Sequence, residues 1–222
     1  MARGQSMQIA LPGAMFNASN GLAISAPNAE FRRIEPDGSI AWRLKVDSHG
    51  LLVNCLVYTA WGDVWSKSKR FISEVLDVAS SAREVSIRSA LFQVVDVFNW
   101  SGLASDYSPD ALFAVDSEYL PKAVLNKGHL WHSHQGWYVS SNLPSSGKRL
   151  LERVHIDCAE KDELPHARID VYHELSFSAS AESRKFIGDE VDGVFDYLHV
   201  RNKQVMRNLL TATILRRIGL ND

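Results

Sequence analysis

Apolar and polar residues alternate along several segments of the chain, a pattern typical of β-strands with one buried face. Residues 40–47 show it most clearly, because every even position is apolar and the odd positions are mostly charged. Turn-forming residues at 35–38 and 47–50 separate this strand from two further predicted strands, 31–34 and 51–58. The three strands together predict an antiparallel meander.

The spacing of apolar residues changes to a helical period after Gly62. Between residues 64 and 78 the apolar side chains recur every three or four positions, and charged side chains form the opposite stripe. Asp63 is placed to cap the N-terminus of this helix. Residues 84–100 return to a strand pattern, with apolar residues at both odd and even positions. This pattern predicts a central strand covered on both faces, at least over its second half.

The second half of the chain repeats the order of strands followed by a helix. Three strands are predicted, over residues 128–140, 149–159 and 166–178. Short helices, one starting at Pro109 and one over 118–124, precede them. A long helix capped by Asp189 comes after them, and Thr211 is placed to cap a last helix that ends at Gly219.

This order of elements predicts an α+β fold. An antiparallel sheet, or sheets, would be divided into two similar meander-plus-helix units, with each helix packed on one sheet face. We expect residues 29–222 to form a single domain made of the units 29–100 and 101–222. Residues 1–28 show no clean period and are rich in Asn, Ala, Ser and Gly. They are expected to be a weakly ordered leader that contributes one short helix or strand at most.

Composition narrows the classes of function. The chain of 222 residues carries 24 Lys and Arg against 26 Asp and Glu, so a dense basic surface for nucleic acid is not expected. Its only cysteines, Cys55 and Cys158, form no metal-binding spacing and indicate a reducing cytoplasm. The sequence has no run of about 20 apolar residues, so it predicts no membrane-spanning helix.

The eight histidines suggest a candidate site. Strand parity in the second half places a set of imidazole and carboxylate side chains on one sheet face: His132, His134, His155, Asp157, Asp170 and Glu174. Cross-strand neighbours on one face lie about 5 Å apart, close enough to share a proton or a divalent ion. The polar outer face of an antiparallel sheet has the same composition without any site, so both interpretations stand.

Other candidate residues have structural interpretations. His173 falls on the apolar parity of its strand, which favours a hydrogen-bonded core histidine. His199 is expected to pack against, or cap, the long helix. No phosphate-binding loop, nucleophile elbow or zinc-protease motif is present. The sequence therefore predicts no catalytic residue, no cofactor and no metal ligand by motif.

The chain also resembles a sporadically distributed family of uncharacterised prokaryotic proteins. The segments that carry the resemblance are IAWRLKVDSHGLLVNCLVYTAW, EVSIRSALFQVVDVFNW, ALFAVDSEYL, RVHIDC, ARIDVYHELSF and FDYLHVRNKQVMRNLLTATILRRIG. The resemblance covers roughly residues 28–219, and His199 and Thr211 occupy positions that recur in the family. The family begins with an additional strand and helix and has no agreed activity. Its patchy distribution implies a mobile defence or toxin–antitoxin context.

Three functions follow, in order of preference. The first is a non-enzymatic cytoplasmic interaction protein that binds a partner protein or forms a homo-oligomer, because surplus aromatic residues suit an interface. The second is a metal-dependent hydrolase or nuclease that uses the His/Asp face. The third is a nucleic-acid binder that uses the basic residues of the last two helices: Arg201, Lys203, Arg207, Arg216 and Arg217.

Overall fold

In the computed structural model, the described part of the chain forms eight antiparallel strands and three α-helices. The structure describes residues 2–10, 29–47, 50–82, 84–141, 147–182 and 185–220. The strands are β1 (Ala2–Ala10), β2 (Ala29–Ile34), β3 (Ile40–Asp47), β4 (Gly50–Cys55), β5 (Ser86–Asn99), β6 (Trp131–Ser140), β7 (Gly147–Lys161) and β8 (Leu164–Glu182). The helices are α1 (Trp61–Ala82), α2 (Val191–Leu209) and α3 (Ala212–Ile218). Short 3₁₀ turns occupy Ala104–Asp106, Pro109–Ala111 and Lys122–Asn126.

The strands form one sheet in the order β2-β3-β4-β1-β5-β8-β7-β6. This order contains the same unit twice: one strand, a three-stranded meander and a helix. β1 to α1 make the first unit, β5 to α2 make the second, and β1 pairs with β5 at the junction. The predicted α+β class is confirmed. The repeat divides the chain between α1 and β5, whereas the sequence pattern predicts the division after residue 100. The pattern of β5 shows that it is a strand but does not show which strands it pairs with.

β1 lies inside the sheet, between β4 and β5. The sequence pattern predicts a weakly ordered leader over residues 1–28, with one short helix or strand at most, outside the domain of residues 29–222. In the structure, residues 2–10 form a nine-residue strand that pairs on both sides within the sheet. The sequence of β1 does not show the apolar pattern expected of a central strand, because it contains the polar residues Arg3, Gln5 and Gln8. Residues 11–28 lie outside the described residues.

Both long helices pack on the same face of the sheet. α1 presents an apolar stripe, which includes Val64, Ile72 and Leu76, to β4 and β5. The N-terminal half of α2 joins this cluster, and its C-terminal half, with Val205 and Leu209, covers β7 and β8. The sheet therefore has a helix face, which holds the core, and an open face.

The two helices run antiparallel and contact each other near their N-termini. The indole of Trp65 donates a 2.8 Å hydrogen bond to Asp192 and stacks on Phe195 at 4.6 Å between ring centroids. The indole of Trp61 donates a 3.0 Å hydrogen bond to Asp196. These aromatic contacts join the two units above the junction of β1 and β5.

β5 is a central strand, as predicted, but the prediction that both of its faces are covered is wrong for the described structure. Phe92 and Val94 are buried on the helix face. Leu91, Val95 and Val97 point to the open face and are half-buried among neighbouring strands. No described helix lies above them, since all the helices pack on the other side.

The helix ends confirm one predicted cap and correct two. The Thr211 hydroxyl accepts the amide of Ile214, and Gly219 ends α3 with a left-handed φ of 72°. Asp189 does not cap the long helix, because it lies in a π-helical turn, Phe186–Glu190, that leads into α2. Asp63 lies within the first turn of α1, where its negative charge favours the positive end of the helix dipole.

The difference between the two faces predicts unequal costs of truncation. Ile169→Ala on the helix face of β8 should lower the free energy of unfolding by about 2–5 kcal/mol, because Ile169 is fully buried. Leu151→Ala removes a similar volume from the open face of β7 and should cost less than about 1 kcal/mol. Urea denaturation of both variants measures the difference, and equal costs would mean that the open face is packed like the core.

Candidate functional site

The open face of the last four strands is laid out in cross-strand rows. Each row takes one residue from β6, β7, β8 and β5 in turn. The rows are His132–Asp157–Arg168–Val97, His134–His155–Asp170–Val95, Gly136–Arg153–Tyr172–Gln93 and Tyr138–Leu151–Glu174–Leu91. The residues of the predicted site therefore do share one face, as strand parity indicates.

The histidines come together at one end of this face. His134 and His155 lie directly opposite each other, with ring centroids 5.3 Å apart. His132 faces Asp157 in the next row. His132 and His134 are exposed, and His155 is half-buried. The pairing brings imidazoles beside a carboxylate, as the candidate site requires.

The other carboxylates of the predicted site have partners on the sheet. Asp170 accepts hydrogen bonds from Gln93 at 2.7 Å and from Arg168 at 2.9 Å. Glu174 lies two rows away from His134 and His155, and it accepts a hydrogen bond from the hydroxyl of Tyr172 at 2.7 Å. Within the described residues, no group of three or more His, Cys, Asp or Glu side chains is arranged to hold a metal ion. A ligand role for the histidine group stays a prediction.

An arginine lies flat across the middle of the open face. The guanidinium of Arg153 sits 3.7 Å from the ring centroid of Tyr172, a cation–π contact. Its side chain passes over Gly136 of β6, where an added Cβ would come within 2.9 Å of Arg153 Cγ. Glycine at this position therefore lets the arginine lie on the sheet. Two rows further along β7, the guanidinium of Arg149 lies 5.3 Å from the ring centroid of Tyr138.

The most unusual polar group of the molecule lies on the opposite face. Glu152 of β7 is fully buried beneath α2. Its Oε1 accepts Nε of Arg201 at 2.9 Å, and its Oε2 accepts Nη2 of Arg201 at 2.6 Å. Trp137 Nε1 donates to Oε2 at 3.1 Å, and His173 Nδ1 lies 3.2 Å from Oε1. Each carboxylate oxygen thus has two neighbours that can donate.

The charges in this network follow from the contacts. Burial raises the pKa of Glu152, but the neighbouring His173 and the hydrogen bonds from Arg201 outweigh burial and lower it to about 2. Burial lowers the pKa of His173 against the opposing effect of Glu152. The pair is therefore a carboxylate beside a neutral imidazole, with the positive charge on Arg201. The network is closed off from solvent on the sheet side and is suited to holding α2 in place rather than to binding a substrate.

The structure confirms that His173 is buried in the core and that His199 packs against a neighbouring side chain. His173 is a buried core histidine beside Glu152. His199 packs on Trp61, with ring centroids 4.2 Å apart and planes 8° from parallel. The sequence pattern gave no role to Glu152, although one signal was present. From Leu150 to Cys158 it is the one charged residue at the otherwise apolar even positions of the strand.

The basic residues of the last two helices do not form one group. Arg201 is bound by Glu152, and Arg207 donates to the carbonyl oxygen of Leu220. Arg216 donates to the hydroxyl of Thr213. Arg217 lies at a cavity, while Lys203 lies on α2. A nucleic-acid surface built from these residues stays a prediction without a shared patch to support it.

The two edges of the sheet differ in their side chains. β2 carries Glu30, Arg32 and Arg33, and Glu30 forms ion pairs with Arg32 and with Arg43 of β3. β6 has the sequence WHSHQGWYVS, without Lys, Arg, Asp, Glu or Pro. Among the described strands, β6 pairs with β7 alone.

Side chains of the connecting segment cover the helix face of β6. Phe113 packs on Trp131, and Tyr119 stacks on Trp137. No backbone hydrogen bond from another described residue reaches the outer edge of the strand.

No helix in the described part of the chain combines the length and apolar character needed to cross a membrane. Comparisons with protein-family models, with curated proteins and with solved structures find no match to this chain. The fold and the side chains themselves therefore carry the functional argument.

Removing the buried charge should destabilise the protein in a pH-dependent way. Glu152→Gln should lower the free energy of unfolding at pH 7 by about 3 kcal/mol, since Arg201 and the buried imidazole lose their anion. Because the pKa of Glu152 is depressed, its contribution is complete above pH 4.5, the ordinary value, and is lost as pH falls towards 2. Urea denaturation at pH 7 and pH 3 should show the gap between wild type and variant narrowing.

Glu174→Gln is the matched control for this experiment. It changes a carboxylate on the adjacent strand, on the open face, that accepts a hydrogen bond from the neutral hydroxyl of Tyr172. It should cost less than about 1 kcal/mol at either pH. A gap for Glu152→Gln that stays constant from pH 7 to pH 3 would contradict the assigned charge state.

Proposed function

We propose that this protein is a non-enzymatic interaction protein that assembles with a second copy of itself along the outer edge of β6. The single observation that carries the proposal is this edge: ten residues long, paired on one side, and without a charged or proline residue. Such an edge is a template for another strand, and proteins that avoid association usually protect it. The ion-paired β2 edge has that protection.

An antiparallel pair of β6 strands satisfies the geometry of a symmetric dimer. β6 of one copy would pair with β6 of the other about a two-fold axis, so both copies would use the same surface. The pairing would align the open faces of both copies into one continuous surface. Near the axis this surface would carry His134 and Tyr138, both exposed in the single chain.

The side chains beside this edge are of the kinds that favour protein interfaces. Tyr138 is 66% exposed, and Arg149 and Arg153 lie against tyrosine rings on the same face. Tyrosine and arginine are enriched where proteins bind each other. The continuous open face is therefore the surface that we propose for a further partner protein.

We place this activity in the cytoplasm. Cys55 and Cys158 are both buried and free, which suits a compartment that keeps thiols reduced. Burial raises the pKa of the Cys158 thiol to about 12, so it stays protonated and unreactive. The resemblance to sporadically distributed prokaryotic proteins supports a role in a mobile defence or toxin–antitoxin context.

Charge substitutions at the edge test the dimer. Wild type should elute with the mass of two chains in size-exclusion chromatography with light scattering. The double variant His134→Lys/Tyr138→Lys should elute as one chain, because it brings four lysines together at the axis. The variant His134→Glu/Tyr138→Glu should also be monomeric. An equimolar mixture of the Lys and Glu variants should form the dimer again, since opposite charges then face each other.

Phe31→Lys on β2 is the matched control. Phe31 is 60% exposed on the other edge strand, so the substitution adds a lysine to an edge without touching β6. It should leave the dimer intact. A wild-type protein that stays monomeric at all concentrations tested would overturn the proposal, and so would a Lys variant that remains a dimer.

The metal-dependent hydrolase is the alternative function, and one observation favours it: the side-by-side imidazoles of His134 and His155. Elemental analysis of untagged protein distinguishes the two functions. We expect far less than one metal ion per chain in wild type and in His132→Ala/His155→Ala alike. Metal at one ion per chain in wild type, lost in the double variant, would replace the interaction function with the hydrolase.

A further inference from the structure

A small open cavity lies at the end of the sheet, away from β6. It has a volume of about 180 Å³ and is enclosed by the ends of β5 and β8, the 3₁₀ turns that follow β5, and one face of α3. Most of its walls are apolar, from Phe98, Trp100, Leu112, Ile214 and Ile218. The cavity is somewhat larger than the roughly 150 Å³ that accommodates benzene in an engineered protein core. It therefore has room for one ring or a short hydrocarbon chain.

The aromatic side of the cavity is fixed by contacts of its own. The rings of Trp100 and Tyr107 meet edge to face, with centroids 5.5 Å apart. The indole of Trp100 donates to the carbonyl oxygen of Leu103, so its polar group is already bonded. The Tyr107 hydroxyl points to Cys158 Sγ at 4.0 Å. These walls offer a ligand apolar contact rather than hydrogen bonds.

One cation stands at the cavity. Arg217 lines it from α3, is exposed, and forms no ion pair with any described carboxylate. Its neighbour Arg216 is turned to Thr213 instead. Arginine recognises carboxylates through two parallel hydrogen bonds, so a free guanidinium beside an apolar cavity selects an anion with an apolar body.

We propose that this cavity binds a small-molecule monocarboxylate with a compact apolar body. The body would rest between Trp100 and Ile218, and the carboxylate would bind Arg217. The site is separate from the β6 edge, so it goes beyond the interaction function and can fail or succeed independently of it.

Isothermal titration with 3-phenylpropionate and its neutral amide tests the proposal. The acid should bind wild type with one site per chain and about tenfold more tightly than the amide, because only the acid can pair with the guanidinium. Arg217→Gln should remove this preference. Arg216→Gln, the matched control on the same helix, should keep it.

A second variant tests the cavity itself. Ala111 is an exposed lining residue on a 3₁₀ turn, so Ala111→Phe should obstruct the cavity without disturbing the core. It should abolish binding of both the acid and the amide, while its thermal unfolding midpoint stays near that of wild type. The proposal is overturned if wild type shows no saturable binding of the acid. It is also overturned if Arg217→Gln keeps the preference, or if Ala111→Phe binds as wild type does.

Discussion

The buried carboxylate of Glu152 is the constraint on which the arrangement of the second unit depends. A charge removed from water must be compensated, and here the compensation comes from another layer, through the bidentate pair with Arg201 of α2. This pair sets both the position of α2 along the sheet and its rotation about its own axis. With Arg201 fixed, His199 two residues earlier reaches Trp61 of α1, and Val205 one turn later meets the core over β7 and β8.

The placement of both helices on one face decides the chemistry of the other. The helix face could accept apolar side chains because α1 and α2 cover it, while the open face had to satisfy its own polar groups. It does so within the sheet: Gln93 and Arg168 bind Asp170, and Arg153 lies on Tyr172. The same division leaves the outer backbone groups of β6 without a partner strand among the described residues. Side chains of the connecting segment cover only the helix face of this strand.

Local patterns in the sequence predicted local structure well. The alternation at residues 40–47 corresponds to β3, and Thr211 caps α3 as its position indicated. Local patterns predicted less wherever the place of a residue or strand depends on a partner that is distant in the sequence. β1 holds its place through pairing with β4 and β5, and Glu152 is tolerated only because Arg201, 49 residues later, lies above it. Neither relationship has a period that could be recognised along the chain.

The candidate site shows a second limit of local sequence patterns. Strand parity correctly placed six polar residues on one face, since a strand alternates with a period of two whatever its neighbours are. Parity does not make side chains converge. A zinc site needs four ligands around one point, and within the described residues no group of three or more His, Cys, Asp or Glu side chains is arranged to hold a metal ion. The rings of His134 and His155 are centred 5.3 Å apart, at the spacing of the strands themselves. Rows held at that spacing present a broad polar surface, and a docking partner could contact such a surface along its whole length.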